Sequence, residues 1–164
     1  MNEQLYEMMD VMQRTLLCLA RKEKIPEKNI LELEKLGKLL KQVSEEYNET
    51  MELEQTVTDY LKKLAVPVNL KGFNYLRYGI LLNIQKPKAF KSFTGDLYPE
   101  IAKKFDSTPT RVERAIRHAI EISFTRGNHE YQKLLFGQSI DSIKKHPTNR
   151  QFVLTVVDEI RLFN

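Results

Sequence analysis

Apolar residues recur every three or four positions through nearly all of this chain. That is the period of a helix and not the alternation of a strand. Leu5, Met9, Met12, Leu16 and Leu19 are spaced four, three, four and three residues apart and form one stripe on a first helix. Pro26 punctuates, with Arg21, Lys22 and Lys24 just before it, where cations suit a helix C-terminus. A second helix starts near Glu27. Its stripe runs Leu33, Leu36, Leu40, Val43, Tyr47 and Thr50, then Val57, Leu61 and Leu64, with Glu54 at one seam position. Neither helix can bury such a stripe alone. The sequence leaves three partners open: the chain's own domain, a second copy in a homodimer, or some other protein.

Val66-Pro67-Val68-Asn69 breaks the pattern and marks the expected boundary. Residues 1–64 then form a helical hairpin or coiled-coil-like module, for dimerisation or regulation, and residues 65–164 form a second domain. From Gly72 the helical period returns at Phe73, Leu76, Ile80 and Ile84, and Lys86-Pro87-Lys88 ends that helix. Further helices are predicted over residues 97–105, 109–126, 131–136 and 149–162. No internal repeat is visible, and the fold class is all-α.

Within the second domain, Tyr98 to Phe105 reads as a short amphipathic helix and Asp106-Ser107-Thr108 as a turn of polar cappers. Thr108 suits an N-cap, and Pro109 suits the first helical position, where no N–H is missed. A longer helix follows. Short helix, tight turn and longer helix is the helix-turn-helix plan. In the longer helix Val112, Ala115, Ile116, Ala119 and Ile122 are predicted to pack inward. Arg111, Arg114 and His118 form an outward stripe flanked by Glu113 and Arg117. The arginine fork matches the N7 and O6 acceptors of guanine, and a glutamate among arginines can accept from a cytosine amino group. Such a mixture suits base reading better than pure phosphate binding. The same residues also suit a solvated face, with Glu113 and Arg117 as an i,i+4 pair.

Charge adds to this picture. The net formal charge is +4, but residues 1–60 hold 8 basic and 13 acidic residues, and residues 61–164 hold 18 basic and 9 acidic. The second part is the one suited to a polyanion, double-stranded DNA in the first place. The lone cysteine, Cys18, sits in an apolar stretch and is expected to be a buried small hydrophobe. No intramolecular disulfide or cysteine metal site is possible. No apolar run is long enough to span a membrane, the N-terminus has no positive leader pattern, and the expected location is the cytoplasm, at the nucleoid. His118, His129 and His146 show no metal spacing, and no phosphate loop or nucleophile motif is present. An enzyme is therefore not expected, and no metal or cofactor.

The run Leu97 to Phe105, the run Arg111-Val112-Glu113-Arg114-Ala115-Ile116-Arg117-His118-Ala119-Ile120-Glu121, and the shorter pieces Thr125–Asn128, Leu135-Phe136-Gly137 and Lys145–Asn149 closely resemble the effector domain of the stage-zero sporulation transcription factor family. The resemblance covers about residues 60–164. It implies an all-helical domain that binds a short operator box, typically as tandem copies, and that engages RNA polymerase sigma subunits. It places base reading on Arg111, Glu113 and Arg114 and neighbouring contacts on Arg117 and His118. It places tandem or polymerase contact around Leu135, Phe136 and Gly137. Lys144 and Lys145 are candidate phosphate contacts. The family normally carries a receiver of alternating β and α elements. Residues 1–60 lack its strands and its acidic pocket, so phosphorylation control is expected to be absent. Activator and antagonist readings, the latter occupying operators or polymerase without activating, both remain compatible with the sequence.

Overall fold

Helix formation follows the apolar period closely. The computed structural model describes residues 2–23, 26–127, 129–137 and 146–163. It contains helices α1 (Asn2–Lys22), α2 (Glu27–Lys63), α3 (Lys71–Gln85), α4 (Tyr98–Lys104), α5 (Pro109–Arg126), α6 (His129–Phe136) and α7 (Asn149–Phe163), with a π-helical turn at Phe93–Leu97 before α4. No strand occurs among the described residues, and no helix is long and apolar enough to cross a membrane.

The chain divides into two compact units, Met1–Glu52 and Leu53–Asn164. In the first, α1 and α2 form an antiparallel hairpin: Arg21 meets Glu34 at 3.7 Å, and the Gln13 side chain lies over Gly37. The apolar stripes are only partly covered. Met12, Leu16, Leu36, Leu40 and Val43 remain 46–62 % exposed, and several of them line an open apolar groove of about 440 Å³ between the two helices. Cys18 is exposed, contrary to the sequence expectation. Two helices cover only one side of each other, and Cys18 lies off the side where Gln13 meets α2.

The second unit has a true core. Leu61, Leu64, Leu76, Ile80, Leu97, Ile101, Ile116, Ile120, Phe152 and Ile160 are all essentially inaccessible. The last turns of α2 belong here. Val57, Leu61 and Leu64 are fully buried in this core, so the stripe that reads as one seam in the sequence serves two units. The expected break at Val66-Pro67 falls inside the second unit, as a tight helix exit. There Ala65 takes a left-handed φ of 57°, Val66 N–H donates to Leu61 O at 3.0 Å, and Ala65 N–H donates to Lys62 O at 2.8 Å. This is a Schellman cap.

α3 packs on α5 and α7. Its first turn touches α5 so closely that a Cβ on Gly72 would stand 2.1 Å from the Ala115 carbonyl oxygen. At the other end of α3, Arg161 of α7 donates to the carbonyl of Asn83 at 2.7 Å, satisfying an orphan group of the helix terminus. Phe136 stacks on Phe152 with centroids 5.4 Å apart, and Phe124 meets both rings edge-on. This trio holds α5, α6 and α7 together.

Beneath it lies a buried polar knot. Ser123 Oγ donates to the carbonyl of Leu64. Gln132 Nε2 donates to the Leu64 and Ser123 carbonyls at 3.2 and 2.9 Å. A carbonyl freed at the end of α2 is thereby satisfied from α5 and α6.

Assignment of the α2 terminus to the second unit is testable. Leu61→Ala should lower the protection of α5 amides against hydrogen exchange by about 2–5 kcal/mol, the cost of a buried leucine cavity. Leu36→Ala should leave those amides unchanged.

Candidate nucleic-acid interface

The turn between α4 and α5 is specified atom by atom. α4 ends in a second Schellman cap, in which Ser107 N–H donates to Ala102 O at 2.9 Å and Asp106 takes a left-handed φ of 47°. Aspartate tolerates that region better than most side chains. Phe105 leaves the turn to pack edge-on against Tyr75 and Tyr78 of α3, at 5.1 and 5.7 Å. Thr108 is then the N-cap of α5: its Oγ1 accepts from Arg111 N–H at 3.3 Å, with Pro109 in the first turn. The expected cap and first position are both realised.

α5 separates its faces. Val112, Ile116, Ala119, Ile120, Ser123 and Phe124 are buried. Ala115 and Ile122, expected to be inward, are only half-buried, and Ile120 and Phe124 take the deeper places. Arg111, Arg114, Arg117 and His118 are exposed. No ion pair engages Arg111 or Arg114 among the described residues. Glu113 is half-buried and its carboxylate receives the Arg117 guanidinium one turn on.

The helix is locked from its flank. Asn149, at the first turn of α7, donates through Nδ2 to the Glu113 carbonyl and to the Tyr98 hydroxyl, both at 3.1 Å. One amide thus joins α4, α5 and α7. Its own place is set by a capping box: Thr148 Oγ1 and Gln151 exchange hydrogen bonds, and Gln151 Oε1 accepts from Thr148 N–H at 2.9 Å. The Tyr98 hydroxyl is held above the ordinary tyrosine range, first by burial and further by Glu113. The Asn149 hydrogen bond and Arg117 pull it part of the way back.

The other expected site residues are placed differently. Phe136 is buried in the aromatic trio and cannot offer its ring to a partner. Its neighbours are more accessible: Gly137 is exposed with a left-handed φ of 49°, Leu135 is half-buried and Leu134 is 81 % exposed. Lys144 and Lys145 lie outside the described residues. His146 faces Glu121 of α5 at 3.8 Å. No group of three or more His, Cys, Asp or Glu residues able to hold a metal occurs among the described residues. Sequence reasoning missed Tyr98 and Asn149 as positioning residues, although both stand within motifs it singled out.

A helix-turn-helix with this exposed arginine row also matches a known domain. The family described as sporulation initiation factor Spo0A C terminal matches residues 57–160. The chain belongs to this family. Its domain is a helical, sequence-specific DNA-binding domain of sporulation regulation. The Spo0A C-terminal match begins at Val57, the first fully buried residue of the α2 end, so the family boundary and the start of the buried core coincide.

The Asn149 bridge yields a pH prediction. Tyr98 has a raised folded-state pKa, so its contribution to stability is complete below the unfolded value and is lost as pH rises through the folded one. Asn149→Ala removes the hydrogen bond that lowers this pKa. Tyr98 ionisation, followed by NMR of ring-labelled tyrosine, should move to still higher pH, and stability near neutrality should fall by about 0.5–1.5 kcal/mol.

Proposed function

We propose that this protein reads an operator through α5, with Arg111, Glu113 and Arg114 addressing base edges and Arg117 and His118 making neighbouring contacts. The observation that carries the reading is that Arg111 and Arg114 stand exposed, with no ion pair among the described residues, on a helix whose start, flank and inner face are all fixed by specific bonds. Arginine side chains near the N-terminal part of a second helix are what the major groove receives in this motif. Glu113, turned toward Arg117, is poised to accept from cytosine while the guanidinium turns to a neighbouring base or phosphate.

The N-terminal hairpin supplies pairing in this reading. Its groove is lined from both helices by leucines that remain about half exposed. A second hairpin laid against it completes a four-helix bundle, in which such stripes form the core. Pairing two copies makes binding of the second reading helix intramolecular and raises its effective concentration on a tandem or palindromic site. The protein then acts at the nucleoid, in the cytoplasm. Leu134, Leu135 and Gly137 remain the surface for a polymerase sigma subunit or a neighbouring copy.

Selection of bound sequences from random duplexes identifies the operator. On it, Arg114→Ala should cost about 1–3 kcal/mol and relax preference at one base position. Operator binding left intact by Arg111→Ala, Glu113→Ala and Arg114→Ala alike would remove α5 as the reader. Light scattering on the intact chain should give a dimer at micromolar concentration. Leu36→Glu with Leu40→Glu should give a monomer that still binds a single box, more weakly.

A further inference from the structure

Along one edge of α5 runs a cleft of about 760 Å³. One wall is the Glu113, Arg117 and Glu121 edge of the helix, next to the Arg114 and His118 row. The other is built from the loop at Lys91–Thr94 and the start of α7 at Arg150. The charges on these walls are not equivalent. Arg117 is taken by Glu113, and His146 faces Glu121 at 3.8 Å. Lys91 and Arg150 have no carboxylate partner among the described residues, and both are exposed.

Arg150 is nevertheless held in place. Its guanidinium lies 5.6 Å over the Phe93 ring, and Nη1 donates to the Lys91 carbonyl at 3.5 Å. Stacking on an aromatic face leaves the edge of the fork open to an anion. Arg150 is thus tied to the backbone of Lys91, 59 positions away, and the two cations line the same cleft, one of them pre-oriented at little further entropic cost.

Their position relative to α5 gives them a ligand. An α-helix with side chains is about 10–12 Å across and the major groove about 12 Å wide, so a helix seated there fills it and its flanks stand over the sugar-phosphate walls. We infer that Lys91 and Arg150 clamp the phosphates of one strand beside the groove that α5 enters. The inference rests on the reading of α5 as the major-groove helix. The clamp fixes register without reading sequence, because phosphate contacts position and base contacts specify. A fork stacked on Phe93 can take a phosphate through two N–H groups, where a lysine gives a point charge.

The test compares the full-length chain with a Lys91→Gln, Arg150→Gln variant on the selected operator and on a scrambled duplex, across a salt series. Affinity should fall on both duplexes by the same factor, on the order of tenfold, with their ratio preserved. The slope of log affinity against log salt should become shallower by roughly 1–2, since each phosphate neutralised contributes about 0.9. Arg150→Lys, which keeps the charge, should retain most of the slope, and this separates loss of charge from loss of the Phe93 packing. Unchanged affinity and slope in the double variant overturn the clamp, as does a loss confined to the operator, which would make these residues base readers. Arg114→Ala measured in parallel tells the two readings apart. If it weakens operator binding while the double variant does not, only the clamp fails. If Arg111→Ala, Glu113→Ala and Arg114→Ala are all without effect, the α5 reading fails and the clamp fails with it.

Discussion

The carbonyl of Leu64 is the point on which the second unit is hung. A helix that stops leaves its last carbonyls without partners, and burying one unpaired costs as much as several good packing contacts gain. Here the Ser123 hydroxyl and the Gln132 amide both come to the same oxygen. That oxygen therefore fixes the exit of α2, the C-terminal half of α5 and the start of α6 with respect to one another. The aromatic trio packs the same three helices together, and of the knot's side-chain groups Gln132 Oε1 alone is left without a partner among the described residues. The directional bonds choose one arrangement among the many that would bury the same area.

At the N-terminal end of α5 a second set of local bonds takes over. Thr108 caps the first turn, and Asn149 grips the backbone of Glu113 from α7 while holding Tyr98 of α4. The helix is thereby fixed at both ends and along one flank, while Arg111 and Arg114 are left exposed and without an ion pair among the described residues. Preorganisation of this kind lowers the ordering cost of binding, so more of the contact energy reaches the affinity.

Much of this was legible along the chain because it is local. The helix limits at Glu27, Pro109 and Asn149 follow from proline, threonine and the apolar period within a few residues of each place. What the period cannot express is which surface a stripe meets. Leu36 and Leu61 lie on one apparent seam, yet one stays half exposed in the hairpin and the other is wholly buried in the effector core. The same limit explains Cys18, whose apolar neighbours reported on composition and not on facing. Phe136 fell within a family motif, but only its stacking on Phe152 shows that the ring is structural. Tyr98 with Asn149, and Lys91 with Arg150, are pairs created by the fold across 51 and 59 positions, and no local pattern announces them.

The pairing of Glu113 with Arg117 has a consequence for search on a genome. Every stretch of duplex outside an operator presents phosphate, and a helix with only cations would dwell on all of it. On the proposed reading of α5, a carboxylate among the arginines repels that background and keeps Arg117 occupied until a base offers Glu113 a better donor. Affinity is given up everywhere, but less is given up where the right bases stand, so the margin between target and competitor widens. On the α5 reading, one acidic side chain thus shortens the time the protein spends on the wrong sites, which outnumber the right ones by orders of magnitude.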